Sequence, residues 1–302
     1  MNILKKLTVS LIIIPILISC GQTSVSANTL NRTESTKELF SKFPKLQQEL
    51  NENGYTELVG TYDQYFKVEL KDENSKKINY EISDFNLIPE SKEEFELAQL
   101  KKSMSSRIST RSAQDFYNGI GGDDHLMLSL SAYRNVNLPY KFAVTHSYAW
   151  TSKPVMNFKD AIGISVSSTM KINADTYSSQ SAYNTIIVDS TSPTGVSNHT
   201  DVVDNTEFKH NNVGVATKFD LKMGYTSEPG YPSEQFGYIK AEAQFTQTGS
   251  NLGHQSANIF GNYIHTKVGW DGTLSIGIDG KPSIGLHLYD EEFSHAIDVE
   301  YN

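Results

Sequence analysis

Cysteine is nearly missing from this chain: one residue, Cys20, stands in 302. That excludes an intramolecular disulfide, any C-x-x-C site and any thiol nucleophile elsewhere in the chain, so an exported form is stabilised by its core alone. Long apolar runs are also scarce. The clearest, Leu7 to Ile18, is twelve residues long and is interrupted by Thr8, Ser10 and Pro15. A bilayer core about 30 Å thick needs roughly twenty apolar residues in a helix, so this run is too short to span one. Basic charge is in deficit, with 26 Lys and Arg against 35 Asp and Glu and a net charge of -9. A nucleic-acid surface needs clustered Lys and Arg to neutralise phosphates, which makes nucleic acid an excluded partner class. Catalytic signatures are missing too. There is no G-x-S-x-G elbow, no H-E-x-x-H pair and no S-x-x-K with its companions.

What is present begins at the first residues. Lys5 and Lys6 form a short cationic segment, and the twelve-residue run follows with the length of a signal-peptide core. Leu17-Ile18-Ser19-Cys20 then places an aliphatic residue three before the cysteine and a small residue immediately before it, with Gly21 after. This leader resembles the lipobox of bacterial lipoproteins. The resemblance covers residues 1 to 21 and implies that residues 1–19 are a signal peptide, that the Cys20 thiol takes a diacylglyceryl group, and that cleavage falls before it. Several acyl chains make a lasting anchor, since each buried methylene contributes about 0.8 kcal/mol and one chain alone binds marginally. The implied address is the extracytoplasmic face of the cell membrane. Ser24, Ser26 and Ala27 offer an alternative cleavage at Ala27 without lipid. Removing residues 1–19 takes two lysines and no acid, leaving 24 basic and 35 acidic side chains and a charge of -11.

Residues 20–102 read as a small α+β unit. Leu39, Phe40, Phe43, Leu46 and Leu50 recur at helical spacing, with Thr33 or Ser35 as N-cap and Gly54 as a left-handed stop. Pro44 lies inside the pattern, which predicts a break near Phe43 or two short helices. Residues 55–70 and 78–87 read as a hairpin joined by the polar loop 71–77. Ser91-Lys92-Glu93-Glu94 is a capping box that opens a short helix through about Lys102. Residues 103–114 are rich in serine and basic residues and contain no acid, and they read as a linker between domains. A sharper reading makes Arg107 or Arg111 a processing site, because exposed polar loops are preferred for nicking.

Residues 115–302 carry the period of strands. In the clearest run Ile162, Ile164, Val166, Met170, Ile172 and Ala174 share one face, which reads as one half-buried strand of about thirteen residues. Val213 to Leu221 and Ile239 to Phe245 alternate likewise. Leu274, Ile276 and Ile278 meet Ile284, Leu286 and Leu288 across Asp279-Gly280, where glycine supplies the positive φ of a hairpin turn. The expected fold class is therefore mainly β: a small α+β N-terminal unit followed by an all-β antiparallel sandwich or barrel-like domain.

Candidate sites are sparse. Gly121 to His125 could present Asp123, Asp124 and His125 to a hard cation from a tight turn, or be a solvated turn leading into a strand. His254, His265, His287 and His295 are scattered and converge only through tertiary structure. Ser165 to Val188 resembles the amphipathic hairpins of β-pore-forming proteins, yet any half-exposed hairpin alternates in this way. Trp150, Tyr225, Tyr231 and Trp270 lie near turns where aromatic faces could stack on sugars, although aromatics in β domains mostly pack across strands. No cofactor is implied. The leading expectation is a lipid-anchored, non-enzymatic binding module whose partners are the membrane and a protein or glycan ligand. A toxin-like or pore-forming protein is the second reading, and an extracellular hydrolase the third.

Overall fold

Thr33 starts the first helix as its N-cap, its hydroxyl oxygen accepting from the Thr36 N–H at 3.5 Å. Helix α1 (Glu34–Lys42) stops at Phe43, whose backbone leaves the helical region (φ -125°, ψ 71°) as a residue before proline must, and Pro44 opens α2 (Pro44–Glu52) as its first residue. Two short helices therefore replace one. Gly54, at φ 79°, turns the chain out of α2 into β1 (Tyr55–Leu70). These elements belong to a computed structural model that describes residues 33–70, 85–108, 125–151, 159–188, 196–221, 230–249, 253–266, 274–277, 279–284 and 291–301.

The remaining strands, in chain order, are β2 (Phe85–Glu90), β3 (His125–Asn135), β4 (Lys141–Trp150), β5 (Lys159–Val166), β6 (Met170–Ile172), β7 (Ser178–Val188), β8 (Val196–Asp204), β9 (Phe208–Asn211), β10 (Gly214–Asp220), β11 (Gly230–Phe245), β12 (Gln255–His265), β13 (Leu274–Ile276), β14 (Pro282–Ile284) and β15 (Glu291–Tyr301). They form two open antiparallel sheets and a small hairpin. The first sheet runs β2-β1-β3-β4-β11-β7-β8, with β6 also on β11. The second runs β15-β12-β5-β10-β9. Their facing sides bury one core, including Leu128, Leu130, Phe142, Val144, Ile162, Ile164, Val215, Ile239, Phe245, Ile259 and Tyr263. The fold is mainly β and antiparallel, a sandwich and not a closed barrel.

A second core lies outside the first sheet. Leu39, Phe40, Phe43, Leu46 and Leu50 of the two helices cover Tyr133, Ala143, Phe236 and Tyr238, with Phe43 edge-on to Phe236 and Tyr238 at 5.7 and 4.8 Å. Beneath α2 the buried Lys240 ammonium donates to Glu49 at 2.5 Å. The first sheet has a hydrophobic inner face and a partly covered outer one, which is why its strands are buried on both sides.

Three sequence expectations change here. First, the sheet crosses the boundary drawn between 20–102 and 115–302: β1 pairs with β3 from Tyr55↔Asn135 to Lys67↔His125. A strand's pattern of alternation does not reveal which partner satisfies its backbone, so the pairing with β3 was not legible; β1 does pair with β2, from Leu70↔Phe85 to Tyr65↔Glu90, while the expected loop 71–77 and residues 78–84 of the expected strand lie outside the described residues. Second, α3 (Lys92–Ile108) runs through Arg107 and six residues into the segment read as linker. Its capping box is formed, with Ser91 N–H donating to Glu94 Oε2 at 2.9 Å and Glu94 N–H to Ser91 Oγ at 3.2 Å. Between Ser91 and Ile108 there is neither glycine nor proline to stop a helix. Arg111 lies outside the described residues. Third, the thirteen-residue strand is two. At Ser167-Ser168-Thr169 the chain turns, Met170 N–H donating to Ser167 O at 2.9 Å, and it passes from β5 in one sheet to β6 against β11 in the other. Both pieces keep their apolar faces in the common core, so Ile162 to Ile172 is not one arm of an extended amphipathic hairpin.

Candidate functional site

Two polar centres are buried between the sheets. The first is built on Asp160, the inward residue that precedes Ile162 and Ile164 on β5 and is 0% exposed. Its carboxylate accepts from His265 Nδ1 at 2.9 and 3.1 Å, from the Thr266 N–H at 3.1 Å, and from the Tyr263 hydroxyl in a short contact. Trp150 Nε1 donates in turn to the Tyr263 oxygen at 3.1 Å. Burial and the adjacent Asp160 charge push the Tyr263 hydroxyl well above the usual tyrosine range, so it remains a donor. Three donors on one carboxylate replace the water it loses, which is the condition for burying a charge. His265 is also 0% exposed, and the Trp150 ring lies 5.2 Å from it. A carboxylate–imidazole pair within hydrogen-bond reach is what a hydrolase needs, but this one is enclosed by the residues that bind it.

The second centre has no carboxylate. His146 on β4, 0% exposed, donates from Nδ1 to the Gly163 carbonyl of β5 at 3.0 Å, which leaves Nε2 without a partner among the described residues. His295 on β15 stands across from it, ring centroids 4.8 Å apart and at 75°, with neither nitrogen hydrogen-bonded among the described residues. An unmet buried donor or acceptor costs about 1–3 kcal/mol; among the described residues this seam leaves three imidazole nitrogens unmet, against one, His265 Nε2, at the Asp160 centre. Gly261 on β12 makes room for both rings: a Cβ there would lie 2.8 Å from His295 Nε2 and 3.1 Å from His146 Nε2. Tyr62 of β1 stacks on the far side of His295 at 5.4 Å and 19° and is 43% exposed. Burial first, and His295 second, push His146 well below the ordinary histidine range; burial pushes His295 down to about 4.

Of the residues singled out from sequence, His125 begins β3 and its Nδ1 meets Glu90 Oε1 at 2.6 Å, with Phe95 of α3 edge-on at 5.8 Å. Asp123, Asp124 and Cys20 lie outside the described residues. Among those described, no three His, Cys, Asp or Glu side chains converge as metal ligands, and no helix is long and apolar enough to cross a membrane. Trp150 is 1% exposed and so is not a surface platform for sugars. His254 is exposed near Glu300. Asp160 and His146 belong to no sequence motif, although each leaves a trace: a polar residue at an inward position of an otherwise apolar alternation.

On the outer surface the distinctive feature is β8. Among the described residues it pairs only with β7, in unbroken register from Val196↔Val188 to Asp204↔Gln180, and it ends the first sheet. Val202 and Val203 are 53% and 37% exposed on opposite faces. The strand Val-Ser-Asn-His-Thr-Asp-Val-Val-Asp contains no proline, no lysine and no bulge.

No family model matches the chain, and no curated relative does. Among solved structures it is similar to the collagen-binding domain of a Staphylococcus aureus adhesin, at 12% identity over 51% of this chain and 86% of that one, with a TM-score of 0.24. It is also similar to a structure from the Fap1 fimbriae of Streptococcus parasanguinis, at 10% identity over 56% and 78% with a TM-score of 0.22. The collagen-binding domain of the Erysipelothrix rhusiopathiae surface protein RspB matches at 4% identity over 59% and 64%, with a TM-score of 0.23. With TM-scores this low, none of them bears on what the chain does.

Proposed function

We propose that this chain is a non-enzymatic binding module, displayed outside the cell on a lipid attached to Cys20, that takes an extended segment of a partner protein along the edge of β8. The observation that carries the reading is the long free edge. Natural sheets blunt exposed edges with charged side chains, above all lysine, and with proline, bulges or short strands, because unpaired N–H and C=O groups recruit extended chains. β8 has no lysine, proline or bulge, is nine residues long, and carries only acidic formal charge, on Asp201 and Asp204. Nine residues at about 3.4 Å each offer an edge roughly 30 Å long, over which an added strand gains main-chain hydrogen bonds and places alternate side chains against Val202 and Val203. Asp201 and Asp204 lie on the same strand and favour a ligand carrying Lys or Arg.

The edge is tested with a nine-residue peptide of alternating valine and lysine, followed by amide NMR. Shifts and new exchange protection confined to β8 and β7 support the reading, and adding guards with Val202→Lys and Val203→Lys should weaken binding at least tenfold. Protection of β8 that grows with protein concentration without peptide would assign the edge to a second copy and overturn it, as would shifts elsewhere. The tether is tested separately: Cys20→Ala should move the protein from the membrane fraction to the medium or leave it uncleaved. An intact mass beginning at Asn28 without lipid would exclude the anchor.

A further inference from the structure

Two imidazoles sit face to edge in a seam with no carboxylate to stabilise a charge on either. The His146 ring is flanked on its own strand by Val144 and Tyr148, and lies in register with Leu130 of β3 and Ile239 of β11. From the opposing sheet it meets the Gly163 carbonyl, Gly261 and His295. His295 is flanked by Phe293 and Ile297 on β15, pairs across Gly261 on β12, and carries Tyr62 of β1 on its outer face. The titratable groups that face the pair are thus Tyr62, Tyr148 and the two histidines themselves. Neither Asp nor Glu contributes to the shift of either imidazole.

Protonation has a definite structural consequence here. His146 already uses Nδ1–H on Gly163, so a second proton must go on Nε2, which is buried and has no acceptor. A proton on His295 gives that ring two N–H donors with no partner and sets a positive charge 4.8 Å from its neighbour. The two rings belong to different sheets, and what closes over them is the contact of β1 with β15: Tyr62 on His295, and Gly60 so close to Ile297 that a Cβ on the glycine would lie 3.4 Å from that side chain. Tyr62 is half out in solvent, so it is the leaf that water and protons pass when it lifts.

We infer that the His146–His295 seam under Tyr62 is an acid-operated latch, closed while both imidazoles are neutral and opened between β1 and β15 when they charge. The closed state holds its histidines neutral, and opening returns them to water. A histidine in water titrates near 6.5, and His295 in the closed latch near 4. The closed state is therefore fully favoured above about pH 6.5 and loses ground as pH falls from there towards 4, by up to tenfold per proton per pH unit. At pH 5 His295 alone shifts the balance about 30-fold towards opening, and His146 adds in the same direction.

Hydrogen exchange read by mass spectrometry on the purified protein tests this, with rates corrected for the intrinsic effect of pH. Between pH 7.5 and pH 5.0, peptides from β15 (291–301) and the β1 segment around Tyr62 should lose at least tenfold protection, while β5 and β10 keep theirs. His295→Phe retains a ring against Tyr62 and should abolish the acid response; His146→Gln, whose amide can still donate to Gly163, should reduce it. Protection of β15 that is equal at both pH values, or an acid loss unchanged in His295→Phe, overturns the latch. Should neither variant fold, imidazole proton NMR of the wild type decides: titration of both rings in the folded protein near 6.5 would mean that the closed seam accepts the charge, and would overturn it as well.

Discussion

Among the described residues aspartate and histidine meet twice, at nearly the same distance. Inside, His265 Nδ1 stands 2.9 Å from Asp160 Oδ2, both side chains 0% exposed. Outside, His199 Nε2 stands 3.0 Å from Asp201 Oδ1, with 53% and 41% of the two side chains exposed. Distance alone would rank them equal. Water makes the difference: the outer pair trades one solvated contact for another, whereas the inner carboxylate has exchanged its whole hydration shell for three protein donors. The His146–His295 seam completes the comparison, with the same burial and no carboxylate at all. The two inner centres divide the labour of the interface between sheets: one fastens β5 to β12 by three donors on a single carboxylate, and the other leaves β4 and β15 joined by rings that tolerate no proton.

The comparison breaks first at Asp160. Replacing it with alanine leaves the Tyr263 hydroxyl, the His265 N–H and the Thr266 N–H buried without an acceptor, and losing one partner of a buried pair costs about 3–5 kcal/mol. Asp160→Ala should therefore lower the unfolding free energy by that amount in urea titration. Asp160→Asn, which keeps the shape and one acceptor oxygen, should recover part of it. A loss under about 1 kcal/mol for the alanine variant would put the inner pair level with the outer one and dissolve the distinction.

Much of this fold is legible in the sequence, for reasons that can be assigned residue by residue. The break at Phe43-Pro44, the stop at Gly54, the capping box at Ser91 and the Asp279-Gly280 turn are local chemistry: each needs only a few neighbouring residues to act, and each appears in the structure. Alternation likewise identifies inward residues, because the side-chain period of a strand is fixed at two. What alternation lacks is punctuation and partnership. Ile162 to Ile172 keeps its parity through the turn at Ser167 to Thr169, so two strands in different sheets read as one. β1 bears no mark of β3, which lies seventy residues away in its central pairs such as Thr61↔Ser131. The sites were the least legible. Asp160 meets His265 from 105 residues away and His146 meets His295 from 149, separations that no motif spans.

The smallest expected effect belongs to the outer pair, and it separates stability from binding. Asp201→Asn keeps size and strand geometry at an exposed position of β8 and removes only the charge. Exposed polar pairs of this kind contribute about 0–1 kcal/mol, because water competes for the contact and ordering two side chains costs entropy. The variant should thus unfold within about 0.5 kcal/mol of the wild type, and adding salt should erase even that difference. The same change should still be felt by a ligand. If lysines of an added strand face Asp201 and Asp204, removing one of the two charges slows association and flattens its salt dependence while leaving the β8 amides that report the contact unchanged. Paired measurements decide the matter: urea unfolding for stability, and titration with the valine–lysine peptide at two salt concentrations for binding. A stability loss above about 1 kcal/mol would show that the outer pair does structural work and that exposure is not what separates it from Asp160–His265. Unchanged stability with unchanged binding would show that the edge takes its ligand without reading charge.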